Sequence, residues 1–343
     1  MAPLPPAPIT RTAIAARGRW RRVVLGLASA LLLASAVFLA GPRNAFGPDV
    51  PAQRAAPPPV LTGLDSWLAS SEAAYTDIRP GLAKGIVWHT SARQRTPWSV
   101  VYIHGFSASR LETAPVAQQV AQALGANAFF TRLAGHGRSG DAMAEADPQQ
   151  WMADTVEAVR IGQLLGERVL VISCSTGSTL ASWLALRPEG GPVAAHAFIS
   201  PNFGPRDKRS EMINGPWGRN IALAQEGESR GWTPQDPREA LAWTTRYPTR
   251  ALFPMMALVK HVRESDLAAF RTPVLVLYSE QDQTVDPAET RAAFERIGAQ
   301  RKSIEVVRYS QSRGQHVLAG DIRAPEATAP MVASILQWVR SLP

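Results

Sequence analysis

Residues 168–188 read RVLVISCSTGSTLASWLALRP, and the reading of this stretch decides how the rest of the chain is organised. Val169 to Ile172 form a short buried-strand pattern, and after Gly177 the apolar residues recur at helical spacing. Between them, Ser173-Cys174-Ser175-Thr176-Gly177 leaves no room for a loop. Ser175 is therefore expected on a sharp strand-to-helix turn, with its hydroxyl clear of the sheet and the amides of the first helical turn directed at it. Small residues on both sides of the bend, Ser173 and Gly177, suit the crowding there.

Working outward, strand and helix patterns alternate. Ile86 to His89 and Ser99 to Ile103 predict an early hairpin feeding a central strand, and the second run ends in His104-Gly105-Phe106-Ser107. A helix is expected from near Leu111 to Leu124, a strand over 128–133, a helix over 149–165, then the elbow strand and helix, and a strand over 192–199. After a long interval come a strand at 273–278, a helix at 287–297, a strand at 303–309 and a helix at 327–339. Such alternation predicts an α/β fold, with a mostly parallel central sheet and helices on both faces. The interval 202–271 breaks the rhythm and is too long for a structureless loop. It carries Trp217, Trp232, Trp243, Phe253, Met255 and Met256, and is expected to form an inserted cap whose apolar side chains either line an acyl slot or make the cap's own core.

The amino end has a different character. Residues 1–22 are basic, and Val23 to Ala40 form an uncharged apolar run preceded by five arginines. Its length corresponds to roughly 27 Å of helix, the lower limit for crossing a bilayer. An uncleaved signal anchor over 23–40 is the favoured reading, because cleavage after Ala40 would put Phe38 at the −3 position. Cleavage after Ala36 would fall inside the apolar run, and Arg21-Arg22 matches a twin-arginine signal only loosely. The arginines should stay on the cytoplasmic side, placing the rest of the chain on the extracytoplasmic, periplasmic-type side, or in the medium if the signal is cut. Residues 41–60 are rich in proline and are expected to be an extended tether, followed by a single catalytic domain over 61–343.

The formal charge of +8 resides largely in that amino end. Residues 1–48 contain six arginines and no acid, and removing those six from the 36 basic residues leaves 30 against 28 acidic ones. A nearly neutral body gives no nucleic-acid footprint. Cys174 is the single cysteine, which excludes an intrachain disulfide and any cysteine-based metal cluster.

Acyl transfer by serine needs a base to take the hydroxyl proton, an acid to orient the base, and two N–H donors for the oxyanion. The segments YIHGFSAS (102–109), RLAGHGRSG (132–140), SCSTGS (173–178), SEQDQTVDP (279–287) and QHVLAGD (315–321) make residues 98–340 resemble the α/β-hydrolase superfamily, nearest its monoglyceride-lipase and carboxylesterase-like members. In that superfamily the bend usually reads Gly-x-Ser-x-Gly; here Ser173 replaces the first glycine, and Cys174 sits where histidine is common. The resemblance implies Ser175 as nucleophile, Asp282 as orienting acid, His316 as general base, and the backbone N–H groups of Phe106 and Thr176 as oxyanion donors, with no metal or organic cofactor. Asp286 is the alternative acid; Glu280 is read as solvated, His104 and His136 as turn-holding, and His89, His196 and His261 as structural. The resemblance implies hydrolysis of carboxylic esters without specifying the substrate; the anchor and the apolar cap together suggest hydrophobic esters such as monoacylglycerols, cleaved at a membrane. Thioesterase, acyltransferase and aminopeptidase activities use the same triad, and a non-catalytic membrane-tethered binding protein is the rival of a different class.

Overall fold

The first helix, α1 (Arg11–Leu39), stands apart from the rest of the chain: its span Arg19–Leu39 reaches a mean hydropathy of 2.2, and no part of it is buried. Among the described residues this is the one helix long and apolar enough to cross a membrane, as a signal anchor or a signal sequence would. The computed structural model describes residues 11–343, with side chains from residue 19 onward, so the first ten residues of the basic segment 1–22 lie outside the described residues.

The proline-rich segment that follows has no helix or strand, as its composition predicts, but it is not a free tether. It runs as a strap across the body. Pro42 O accepts a hydrogen bond from Trp217 N, and a Cβ on Gly41 would collide with the Trp217 indole. Asn44 is buried, donating to Asn214 Oδ1 (2.9 Å) and Phe253 O (2.7 Å) while Arg219 Nε donates to its Oδ1. Phe46 stacks on His261 with ring centroids 4.0 Å apart, Asp49 accepts from Trp183 Nε1 and pairs with Arg187 and His261, and Arg54 pairs with buried Asp154. Proline density fixes an extended backbone, but four side chains with specific partners hold that backbone down. Replacing Asn44 by Ala leaves Asn214 and the Phe253 carbonyl without this partner, and is expected to lower the stability of the full chain by about 1–3 kcal/mol. Thermal unfolding in detergent checks this, and an unchanged midpoint would contradict the docked strap.

Beyond α2 (Leu64–Ala73) the chain builds a seven-stranded sheet. Its strands are β1 (Gly85–Val87), β2 (Thr96–Ile103), β3 (Asn127–Phe130), β4 (Gly166–Cys174), β5 (Ala195–Ile199), then, after two short strands outside the sheet, β6 (Ser229–Gly231) and β7 (Arg246–Pro248), β8 (Val274–Tyr278) and β9 (Lys302–Val306). The order is β1-β3-β2-β4-β5-β8-β9, parallel throughout except for β1. Burial on both faces explains the nearly unbroken apolar runs of β2, β4, β5 and β8. Helices α3 (Val116–Ala123) and α10 (Pro325–Arg340) cover one face; α2, α4 (Pro148–Leu165), α5 (Thr176–Ala185) and α9 (Pro287–Arg296) cover the other.

The early hairpin does not form. β1 pairs antiparallel with β3, Ile86 opposite Phe129, and both edges of β2 are occupied by parallel neighbours, β3 and β4. A half-buried three-residue strand cannot compete with two better-buried ones for the central positions, so it closes the edge instead. Helix α3 also starts later than its apolar pattern suggests, because residues 107–115 fold into successive turns before Pro115 precedes the first helical residue.

Asp-Pro pairs set several helix starts. Asp147 accepts from Gln150 N and Gln150 Oε1 accepts from Asp147 N, a reciprocal capping box at α4. Asp286 caps α9 in the same position, and Asp236 caps α7 (Pro237–Ala242), each followed by proline as the first helical residue. Between β5 and β8 the chain leaves the sheet for a one-sided superstructure: a 3-10 segment at Lys208–Asn214, α6 (Gly218–Glu226), the β6–β7 pair, α7 and α8 (Leu252–Glu264). Met255, Met256, Leu258 and Val259 of α8 join the same core as α5.

Candidate active site

Ser175 follows the last residue of β4 with φ 52° and ψ −122°, a backbone region that costs a non-glycine residue on the order of 1–3 kcal/mol. The surroundings hold it there. Ser175 N donates to Ile199 O at 3.0 Å, and Ser178 N and Asn202 N both donate to Ser175 O. Gly177 lets α5 approach β2 closely, since a Cβ there would collide with the carbonyl oxygens of Ile103 and His104. Ser173, which stands in place of a glycine, is fully buried, and its hydroxyl is hydrogen-bonded to that of Ser178 at 3.0 Å.

Two loops deliver the partners. After β8, Asp282 turns inward and is 1% exposed; its Oδ1 accepts from Thr284 N (2.7 Å) and Val285 N (2.9 Å). That leaves Oδ2 for His316 Nδ1, 2.8 Å away, and His316 Nε2 lies 3.0 Å from Ser175 Oγ. With a carboxylate at Nδ1, the neutral ring carries its proton there and offers Nε2 as acceptor to the serine hydroxyl. The two loops are laced together by Gln283 N to Gly314 O and Ser279 Oγ to Gln315 Oε1, and Ser200 Oγ donates to His316 O. Burial pushes the imidazole pKa down, while the Asp282 charge and hydrogen bond push it up by more, so His316 titrates above the ordinary histidine value.

Asp286, the alternative acid, caps α9 and pairs with Lys208. Glu280 is exposed, with Arg308 at 3.9 Å. His104 is fully buried beneath the site. Its Nε2 accepts from Leu133 N, so Nδ1 is the donor to Gly105 O at 2.9 Å, and burial lowers its pKa to about 4, which keeps it neutral. His136 packs edge-on against Phe106 and near His104. Phe106 N and Thr176 N donate to no protein acceptor among the described residues, and both residues line the cavity that opens over Ser175.

That cavity measures about 1340 Å3. Leu252, Met255 and Met256 of α8, with Trp243 and Tyr247, form an apolar wall, and Asp207, Glu226, Asp236 and Glu239 bring carboxylates to its lining. Each of these acids faces an arginine: Arg209, Arg230, Arg238 and Arg323 respectively. Of the aromatics singled out in 202–271, Trp232 and Trp243 reach the cavity, while Trp217 packs on Gly41 and Phe253 belongs to the core. Glu112, which nothing in the sequence singles out, is 2% exposed and lies on the cavity floor beside Gly105.

A doubly covered, mostly parallel sheet with a serine elbow after one strand and a carboxylate–imidazole pair after two others defines an α/β-hydrolase. Within that class the chain belongs to the Hydrolase_4 family, described as serine aminopeptidase, S33, which matches residues 94–311. Its fold is similar to that of a metagenome-derived lipolytic enzyme from a study of LipS and LipT, with TM-score 0.61 and 20% identity over 77% of this chain and 99% of that one. It is also similar to a soluble variant of monoglyceride lipase from Saccharomyces cerevisiae (TM-score 0.57, 13% identity, 75% and 90% covered) and to the monoacylglycerol lipase of Paleococcus ferrophilus (TM-score 0.55, 15% identity, 75% and 98% covered). At these identities the likeness is one of fold. No curated protein matches the chain in sequence.

Proposed function

We propose that this chain is a membrane-tethered serine hydrolase of hydrophobic carboxylic esters, acting through an acyl-enzyme. The observation that carries the reading is the continuous relay from Ser175 Oγ to His316 Nε2 (3.0 Å) and from His316 Nδ1 to Asp282 Oδ2 (2.8 Å). Ser175 attacks the ester carbonyl as His316 takes its proton; Asp282 stabilises the resulting imidazolium, and the N–H groups of Phe106 and Thr176 receive the oxyanion. His316 then protonates the departing alcohol, and water repeats the sequence to free the acid. The methionine-lined wall of α8 suits an acyl chain, in keeping with an anchor that holds the enzyme at a bilayer. Arginines ahead of the span favour the extracytoplasmic side for the catalytic domain.

The family's description names an aminopeptidase, which would need a carboxylate free to bind the substrate's ammonium. Asp207, Glu226, Asp236 and Glu239 each already face an arginine, and the fifth lining carboxylate, Glu112, is buried on the floor and occupied by Gly105 N and Tyr102 OH, which favours an uncharged acyl group over an aminoacyl one. The test is a series of p-nitrophenyl esters of increasing chain length beside aminoacyl p-nitroanilides, with fluorophosphonate labelling of the same preparation. Turnover of the esters with a preference for longer chains, and a covalent adduct on Ser175, are expected. Preferential cleavage of the anilides would replace the ester reading, and a folded protein that never labels would point to a non-catalytic binder.

A further inference from the structure

Glu112 comes from the turns between β2 and α3, where a glutamate is ordinarily exposed, and yet it is buried against the floor of the catalytic cavity. Its Oε1 accepts from Gly105 N at 2.6 Å and from Tyr102 OH at 2.9 Å, and Thr113 Oγ1 donates to the same phenol oxygen at 2.7 Å. A Cβ placed on Gly105 would lie 3.1 Å from both Glu112 Oε2 and Ser175 Cβ, so one glycine's width separates the carboxylate from the elbow.

The peptide group joining Gly105 to Phe106 carries the N–H assigned above to the oxyanion. Its carbonyl end is fixed by His104 Nδ1 (2.9 Å) and Ala108 N (3.3 Å). The preceding peptide is fixed by Glu112, through Gly105 N. Glycine has the widest choice of φ and ψ of any residue, so an N–H anchored on one side and a carbonyl anchored on the other remove the freedom that would let this peptide turn away.

We propose that Glu112 is a positioning residue for the oxyanion pocket, holding the Gly105–Phe106 peptide in its donating orientation and setting a second carboxylate beside the Ser175 elbow. This inference rests on the serine-hydrolase reading and deepens it. The titratable groups facing Glu112 are Tyr102 from β2, Cys174 from β4 and His316 from the loop after β9. Burial, reinforced by the Glu112 charge, pushes the phenol and the thiol well up, so both stay neutral around neutral pH. Burial likewise raises Glu112 to about 7 against the lowering effect of its hydrogen bonds, while its charge helps to raise His316. The Glu112 charge therefore favours the protonated form of His316, and a protonated His316 favours the Glu112 carboxylate.

The experiment compares the full-length wild type, E112Q and E112L, measuring kcat and KM across pH on a p-nitrophenyl ester and labelling Ser175 with fluorophosphonate. E112Q keeps an oxygen acceptor for Gly105 N but has no charge, so its acid limb in kcat/KM is expected to move to lower pH and become less steep, with kcat reduced about tenfold. E112L has no acceptor and is expected to lose about 10²–10³-fold in kcat, the effect of losing an oxyanion donor, with KM changed far less. An E112Q acid limb that coincides with the wild type's would overturn the proposal even if E112L fails to fold. If wild-type Ser175 labels, that failure concerns Glu112 alone; if it does not label, the serine-hydrolase reading itself has failed.

Discussion

Ser175→Ala is expected to lower kcat toward a p-nitrophenyl ester by about 10⁵–10⁶-fold, the loss seen when the nucleophile of a serine triad is removed. Removing the hydroxyl takes away the attacking atom while leaving Asp282, His316 and the two free N–H groups in place, so whatever rate remains measures oxyanion binding and proximity alone. The fold should survive. Alanine meets the same cost at φ 52° as serine does, and the bonds that hold the bend, Ser175 N to Ile199 O and Asn202 N to Ser175 O, are backbone bonds. The stability cost is the hydrogen bond to His316 Nε2, about 1 kcal/mol. Initial rates together with a circular-dichroism melt test both halves of the argument. A variant that retains activity within tenfold of wild type would remove Ser175 from the role proposed for it, and one that unfolds would contradict the claim that backbone bonds hold the bend.

What could be read from the sequence divides along a physical line. The elbow was legible because its determinants are local: an apolar run, a bend with no room for a loop, and a glycine whose missing Cβ lets α5 approach β2. The helices over 149–165 and 287–297 were equally local, their starts being decided by the Asp147 and Asp286 side chains and the amides two or three residues on. Ser175, Asp282 and His316 lie far apart in sequence, but the fold places the C-terminal ends of the six parallel strands on one edge, so their order along the chain was informative. Tertiary competition was not legible. β1 reads as half of a hairpin and is displaced by better-buried strands to the outside of β3. The segment from Gly41 onward reads as a spacer because prolines dominate its composition, and its docking depends on Asn44, Phe46, Asp49 and Arg54 meeting partners a hundred or more residues away. Glu112 was missed for the same reason: a glutamate in a polar turn carries no mark that its carboxylate will meet Gly105 N and the Tyr102 hydroxyl inside the protein.

Asp282→Asn should lower kcat by about 10⁴-fold, although it replaces a single oxygen by an amide nitrogen. The carboxylate divides its work between two oxygens: Oδ1 receives the N–H groups of Thr284 and Val285, and Oδ2 receives His316 Nδ1. In the asparagine variant the oxygen has every reason to stay with the two backbone donors, which turns the NH₂ toward His316. A donor facing Nδ1 forces the imidazole proton onto Nε2, where it meets the Ser175 hydroxyl as a second donor, and the base is lost in its resting state. The pH dependence follows the same change. In the wild type the imidazole titrates above its ordinary value, so the acid limb of kcat/KM should lie above about pH 6.5. Without the Asp282 charge, burial acts with much less opposition and the limb of the residual activity should fall below that value. Stability must move consistently with this. A folded-state histidine pKa above the unfolded one contributes stability that is fully present below about pH 6.5 and is lost as pH rises through the folded value, so the penalty of Asp282→Asn should be greatest in acid and shrink toward alkaline pH. Urea unfolding at several pH values, set beside the kinetic profiles, measures both effects. An acid limb that stays in place, or a stability penalty that grows with pH, would show that Asp282 does not act on the His316 imidazole as its geometry implies.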